Sequence, residues 1–146
     1  QERIYCINDI ENLRDEHGIY LINQSHEKLD YLLKDSLFLK EKISCIMFNF
    51  GYLPSGDKAI TTKVKSSLHG IYTSLRLIKE QGLVSLVTYP GHEEGYLEEI
   101  EINKMLESLS SKQYEVIKLS YVNRSDKAPK QYLIYKRCCQ TTDNAL

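Results

Sequence analysis

The sequence predicts an α/β fold with a mostly parallel sheet that ends in an antiparallel hairpin. Short apolar runs alternate with stretches of helical periodicity, the pattern of parallel strands joined by right-handed helical crossovers. The last two apolar runs are joined by a polar loop too short for a helix, which indicates an antiparallel pair. A chain of 146 residues is long enough for one domain with one hydrophobic core.

The first half of the chain contains two apolar runs and one helical stretch. Gly18–Ile22 is typical of a buried strand, and a helical stretch with leucines at helical spacing begins near Glu27. Ile43–Phe48 is the second buried run, and a loop rich in Gly and Pro follows it.

The second half begins with the clearest helix, for which Thr62 is the expected cap and Gly82 the residue beyond the end. Its predicted apolar face contains Val64, Leu68, Ile71, Tyr72, Leu75 and Ile78. Leu83–Tyr89 is the third strand, followed by the turn Pro90–Gly91. The next helix is expected to bury Leu97, Ile100, Met105, Leu106 and Leu109. The closing hairpin is predicted from Tyr114–Val122 and Gln131–Lys136.

Composition and charge exclude several classes of protein. No stretch approaches the roughly 20 apolar residues that cross a bilayer. With a net charge of −1, a nucleic-acid partner needs a local basic patch. The candidates for this patch are Lys58, Lys63, Lys65, Arg124, Lys127 and Lys130. The four cysteines lack a C-x-x-C zinc spacing, which favours reduced thiols in a cytoplasmic protein.

Unusual polar residues concentrate in the loops that follow Ile22, Phe48, Tyr89 and Val122. In an open parallel sheet, ligands bind outside the carboxyl ends of the strands, so these loops form the expected site.

The segment Asn49–Pro54 leaves a buried strand directly into a turn. An Asn amide at this position can hold an amine through its N–H groups, and the ring of Tyr52 can cover a flat base. The alternative is a tight turn in which Asn49 caps the backbone and Tyr52 packs on the core. The local pattern leaves both open.

The segment Asn49–Lys58, with Thr61 and Thr62, resembles the N-L-G-Y-L-P-x-G-D-K-x-x-x-T block of the rRNA methylase family. This family includes enzymes that methylate the aminomethyl group of a tRNA wobble uridine. Three shorter blocks agree in order and spacing: Gln24–Glu27, Tyr89–Gly95 and Asn123–Pro129. The resemblance implies a Rossmann-like class I methyltransferase fold, S-adenosylmethionine as cofactor, an RNA substrate (most often tRNA) and no metal.

The resemblance also assigns roles to residues. The catalytic positions are Asn49 and Tyr52. Cofactor contacts fall on Asp9, Gln24, Ser25, His26, Asn49 and Gly51. Substrate contacts fall on Leu53, Pro54, Asp57, Lys58, Thr62, Tyr89, His92, Asn123 and Arg124. The family usually has Asp where Gln24 stands, but the Gln carbonyl can still accept from the adenine amino group.

Both histidines have alternatives. His26 can be a structural residue, and His92 can orient the substrate, accept a proton, or cap the following helix. A zinc site built from the two lacks a third ligand at characteristic spacing.

Residues 1–137 are expected to form one methyltransferase-like domain, with 138–146 as a polar tail. Such enzymes hold the cofactor's methionine end with a glycine-rich loop, and no glycine precedes Gly18. Tyr5–Ile10, with Asp9, can be the ribose-binding strand end, and Glu11–Asp15 can equally be the following helix. The expectation is incomplete cofactor binding unless the natural protein is longer. The alternative function is a non-catalytic, degenerate domain that binds RNA or a protein partner, and a homodimer remains open.

Overall fold

The computed structural model describes residues 4–7, 19–33, 43–51 and 61–138. In chain order the elements are β1 Ile4–Ile7, β2 Ile19–Ile22, a 3-10 turn His26–Lys28 that continues into α1 Leu29–Leu33, β3 Ile43–Asn49, α2 Val64–Leu77, β4 Ile78–Thr88, α3 Glu93–Glu107, β5 Tyr114–Leu119 and β6 Lys130–Lys136. None of the helices in these ranges is long and apolar enough to cross a membrane.

The strands form a parallel pair and a mixed four-stranded sheet. β1 pairs with β2, and the larger sheet has the order β3–β4–β6–β5. β3 and β4 are parallel, whereas β6 is antiparallel to both β4 and β5. The predicted parallel strands and the C-terminal hairpin are therefore confirmed, and β6 lies inside the sheet with β5 at its edge.

The core lies between α2, α3 and one face of the four-stranded sheet. Its buried apolar side chains are Phe50, Ile71, Leu75, Ile78, Val84, Leu86, Ile102, Met105, Leu106, Tyr132 and Ile134. Burying one large apolar side chain stabilises the fold by about 1.5–3 kcal/mol, so this layer holds the helices to the strands.

On the opposite face of the sheet, the outer strands β3 and β5 carry exposed apolar side chains. Side chains alternate between faces along a strand, so Met47 points away from the helices and is 74% exposed. Ile117 and Leu119 are 55% and 46% exposed. The expectation of a buried run at Ile43–Phe48 was therefore right only for the face that α2 and α3 cover.

The boundaries of α2 differ from the prediction. Thr62 is not the cap, since Lys63 occupies the N-cap position and its N–H donates to the Ser66 hydroxyl. The helix ends at Leu77 and passes directly into β4, which bulges before Leu83. Gly82 lies in this bulge and not at the helix end.

The predicted apolar faces of both long helices are partly wrong. Tyr72 on α2 is 53% exposed, and small residues such as Ser67 and Ser74 are buried instead. On α3, Leu97 is 51% exposed, whereas Glu98 and Glu99 are buried. β5 also ends at Leu119, before the fully exposed Val122.

Glu99 forms a buried polar network between α3 and the hairpin. Its carboxylate accepts from Lys118 Nζ at 3.0 Å and Tyr132 Oη at 2.7 Å, and Lys130 Nζ lies at 3.2 Å. Burial alone raises the pKa of the Glu99 carboxyl, but these hydrogen bonds lower it by more. The pKa therefore lies below its ordinary value of 4.5. Burial and the neighbouring carboxylate raise the pKa of Tyr132, so it stays a donor.

Glu99→Gln should lower the free energy of unfolding by about 3 kcal/mol at pH 7, because it removes the buried carboxylate that pairs with the largely buried Lys130 and accepts from Tyr132. A carboxyl whose folded pKa is depressed stabilises above its unfolded pKa, and this stability is lost as pH falls through the folded value. The difference between variant and wild type should therefore shrink below about pH 4.5. Urea denaturation of both proteins at several pH values measures this difference in the free energy of unfolding.

Glu101→Gln is the matched control, because Glu101 is an exposed carboxylate on the same helix that pairs with Lys104. It should cost under about 1 kcal/mol. Equal unfolding free energies for Glu99→Gln and wild type at pH 7 would show that the network does not hold the hairpin.

Candidate functional site

The strand register brings the predicted site loops to one edge of the sheet. Asn49 pairs with Val87, Val87 with Gln131, and Gln131 with Leu119. These four residues form one row at the carboxyl ends of β3 and β4. The loops after β3, β4 and β5 all leave from this row, as the sequence predicts.

Asn49 is held by its neighbours on both sides. Phe48 and Phe50 point to the helices and stack at 5.1 Å between ring centroids. The Phe50 N–H donates to the Val87 carbonyl at 3.0 Å, so pairing with β4 continues past Asn49. The Asn49 side chain points to the other face, where it is exposed. Among the residues that the structure describes, no hydrogen-bond partner of the Asn49 side chain is found, and the turn in which it was considered as a backbone cap continues into residues outside those ranges.

Gly51 and Thr62 fasten the two ends of the loop that follows β3. Gly51 has φ 112°, a conformation that favours glycine. Its N–H donates to the Thr62 hydroxyl at 2.8 Å, and the Thr62 N–H donates to the Gly51 carbonyl at 3.2 Å. Thr62 was predicted to contact substrate, and the structure shows its hydroxyl engaged in holding this loop.

The loop after β2 meets the end of β3 through His26. The imidazole lies edge-on to Phe48 and Phe50, with ring centroids 6.0 and 5.9 Å away. It also packs against Gly70 of α2, where an added Cβ would lie 2.9 Å from the ring. His26 is therefore a packing residue that fixes the Gln24–His26 loop against the end of β3 and α2.

The neutral polar groups of these two loops suit the adenosine half of S-adenosylmethionine. Gln24 and Ser25 are exposed, and their oxygens accept only exposed local bonds, from Lys28 Nζ at 3.0 Å and from the Glu27 N–H at 3.3 Å. His26 Nε2 is buried without a hydrogen-bond partner among the residues that can be described. These groups could hold adenine and ribose by hydrogen bonds.

Tyr89 and His92 complete the edge after β4. Tyr89 is 40% exposed, and its ring lies 3.6 Å from where a Gly51 Cβ would be. His92 is the N-cap of α3, and its Nδ1 accepts from the Gly95 N–H at 3.1 Å. An added Cβ at Gly95 would collide with the Tyr89 carbonyl, so the glycine is required for this turn.

The cap determines the tautomer of His92. Because Nδ1 accepts a hydrogen bond, the proton of the neutral ring is assigned to Nε2. The helix-capping alternative is thus the observed arrangement.

The loop after β5 carries Asn123 and Arg124, both exposed. The Arg124 guanidinium lies 4.7 Å from the ring centroid of Tyr121. The loop also reaches the turn after β4, since the Lys127 carbonyl lies 3.6 Å from where a Gly91 Cβ would be.

The predicted basic patch is smaller than expected. Lys130 is paired with buried Glu99 at 3.2 Å, and Lys63 with Glu94 at 3.3 Å. Lys65, Arg124 and Lys127 are exposed at the surface. The pairing of Lys130 rules it out as a free phosphate contact.

Several predicted site residues lie outside the ranges that the structure describes. They are Asp9, Tyr52, Leu53, Pro54, Asp57 and Lys58. Within those ranges no group of three or more His, Cys, Asp or Glu side chains could hold a metal ion. That the site needs no metal stays a prediction.

Sequence reasoning missed Glu99 and Tyr121. The position of Glu99 three residues before Ile102 and seven before Leu106 is the helical spacing of an inward face, a usable signal. The sequence analysis placed Tyr121 in a strand, and no sequence pattern indicated that it lies exposed in a loop.

Solved structures share this architecture. The "putative rRNA-methylase" of Clostridium thermocellum superposes with a TM-score of 0.74 at 23% identity, covering 92% of this chain and 75% of that chain. A "putative methyltransferase" of Streptococcus mutans in complex with SAH gives 0.69 at 19% identity, covering 92% and 76%. These likenesses confirm the predicted Rossmann-like methyltransferase fold.

Sequence comparison identifies the family. The profile described as "Putative rRNA methylase" matches residues 6–135, so the chain belongs to that family. The chloroplastic tRNA (mnm(5)s(2)U34)-methyltransferase of Arabidopsis thaliana is 33% identical over 89 residues, 61% of this chain. That match spans 31% of the length of the Arabidopsis protein.

His92→Ala should lower the free energy of unfolding by about 1 kcal/mol, because α3 loses its side-chain cap. His92→Asn should retain most of the stability, since Asn is among the preferred N-cap residues. Thermal and urea unfolding compare the two variants. Equal losses in both would mean that His92 stabilises the protein through something other than the cap.

Proposed function

We propose that this protein is an S-adenosylmethionine-dependent RNA methyltransferase. The observation that carries the proposal is the exposed Asn49 amide at the carboxyl end of β3, the strand end against which His26 packs. The family membership and the SAH bound to the Streptococcus mutans structure support the reaction class.

We further propose that the methyl group goes to the aminomethyl nitrogen of a tRNA wobble uridine. The Arabidopsis relative, named as a tRNA (mnm(5)s(2)U34)-methyltransferase, supports this acceptor. An RNA substrate also agrees with the exposed Lys65, Arg124 and Lys127 near the site edge.

The residues act chiefly by positioning the acceptor. S-adenosylmethionine supplies the methyl group when bound. The Asn49 side-chain carbonyl would accept an N–H of the acceptor amine and so leave the nitrogen lone pair free for the methyl group. The amine would gain the methyl group as the cofactor's carbon–sulfur bond breaks, which would leave S-adenosylhomocysteine, and the product ammonium would release its proton to solvent. Tyr52 is assigned to the face of the uracil ring.

A cytoplasmic location is also proposed. Cys45 is an exposed thiol, which persists in a reducing compartment. Because the Arabidopsis relative is named chloroplastic, imaging of a fluorescent fusion decides between the cytoplasm and the chloroplast as the location. The homodimer considered from the sequence stays a prediction.

Calorimetry with S-adenosylmethionine separates the proposal from the non-catalytic alternative. The methyltransferase should bind the cofactor in its full natural polypeptide and methylate tRNA that carries the aminomethyl uridine. RNA binding without any cofactor binding would identify a degenerate domain instead.

Asn49→Ala should lower the rate of methyl transfer on the order of 100-fold, because a misplaced nucleophile loses the benefit of orientation. Cofactor affinity should change far less, since the assigned partner of Asn49 is the acceptor. Single-turnover methylation of tRNA, together with cofactor calorimetry, measures both.

Met47→Ala is the matched control, because Met47 is exposed on the same face of β3 two residues earlier. It should leave the rate unchanged within about twofold, well under the 1.4 kcal/mol that a tenfold change represents. An Asn49→Ala protein with near-normal turnover would remove the acceptor role, and one that fails to fold would make Asn49 structural.

A further inference from the structure

We propose that Tyr121 and Arg124 form a stacking platform for a nucleobase next to the acceptor nucleotide. This inference rests on the proposed function, because it assumes that the partner at this edge is RNA. It assigns Tyr121, which lies outside every family block noted above, to recognition of the sequence around the acceptor.

The platform consists of an exposed aromatic ring and a guanidinium that lies over it. Tyr121 is 53% exposed, and the Arg124 guanidinium lies over one face of its ring at 4.7 Å from the centroid. This cation–π contact orders both side chains. Stacking on the opposite face of the ring would place a base, Tyr121 and Arg124 in one column.

The platform lies at the site edge but apart from Asn49. The row from Asn49 through Val87 and Gln131 to Leu119 spans three strand spacings, roughly 14 Å. Tyr121 follows two residues beyond Leu119. A base on Tyr121 is therefore a neighbour of the acceptor nucleotide and not the acceptor itself.

The loop that carries the platform is tied down at both ends. Glu99 binds Lys118 in β5 and Lys130 at the start of β6, on the two sides of the loop. Within the loop, the Ala128 N–H donates to the Ser125 carbonyl at 2.9 Å. A fixed loop loses little conformational entropy when it binds, so its exposed aromatic ring is suited to recognition.

Charge and shape favour RNA as the occupant. Val122, next to Tyr121, is fully exposed, so the loop presents apolar surface together with the cations Arg124 and Lys127. Proteins recognise single-stranded RNA loops by stacking bases on aromatic rings and contacting phosphates with cations. A second copy of this chain would bring the same positive charges face to face.

The test is fluorescence of 2-aminopurine placed on either side of the aminomethyl uridine in an anticodon stem-loop RNA. Wild-type protein should change the fluorescence at one of the two positions, because stacking on tyrosine alters the emission. Tyr121→Ala should abolish that change and weaken RNA binding about tenfold, the scale of one lost base stack. Tyr121→Phe, which keeps the ring, should restore both.

Tyr72→Ala is the matched control, because Tyr72 is equally exposed at 53% but lies on α2. It should bind RNA like wild type. Unchanged RNA binding and fluorescence in Tyr121→Ala would overturn the platform, as would a loss confined to self-association in sedimentation, which would make the surface a dimer contact.

Methyl-transfer assays on the same variants distinguish the two proposals. If wild-type protein stacks the probe base but transfers no methyl group, the platform stands and the proposed function fails. If methyl transfer is normal and Tyr121→Ala leaves KM and kcat unchanged, the function stands and the platform fails. No RNA binding by wild type would overturn both.

Discussion

The carboxylate of Glu99 is the interaction on which the C-terminal half of the structure depends. One acceptor on α3 receives Lys118 from β5, and Lys130 and Tyr132 from β6. A carboxylate at this depth is stable only because these groups compensate its lost hydration. Since both strands of the hairpin meet the same side chain, the loop between them is fixed relative to α3.

A second constraint is the alternation of side chains along β3. Phe48 and Phe50 anchor the strand to the helices, and Asn49 between them must then point to the open face. A shift of register by one residue would bury the amide and expose both rings, at a cost of several kcal/mol of apolar burial. The core therefore determines where the candidate acceptor contact lies.

Local patterns predicted the strands, their parallel order and the edge at which the site residues gather. The errors came from partners distant in sequence. Leu97 was expected to be buried and is exposed, whereas Glu99, which the sequence analysis did not single out, is buried where the hairpin lysines compensate its charge. Thr62 looked like a helix cap, but Gly51, on the far side of the loop, engages its hydroxyl. A single sequence shows spacing along the chain, and it does not show which polar group a distant segment will satisfy.

The two histidines of the family blocks hold this edge together, one by packing and one by capping a helix. His26 fills the space between Gly70 and two phenylalanine rings, and His92 caps α3 through Nδ1. Both contacts use the imidazole as a shaped ring or a neutral acceptor. In the proposed methyl transfer to an uncharged amine, alignment matters more than proton transfer, and an edge that positions a neutral amide by packing suits that reaction. On this proposal, specificity lies in the surfaces that would orient the RNA around Asn49.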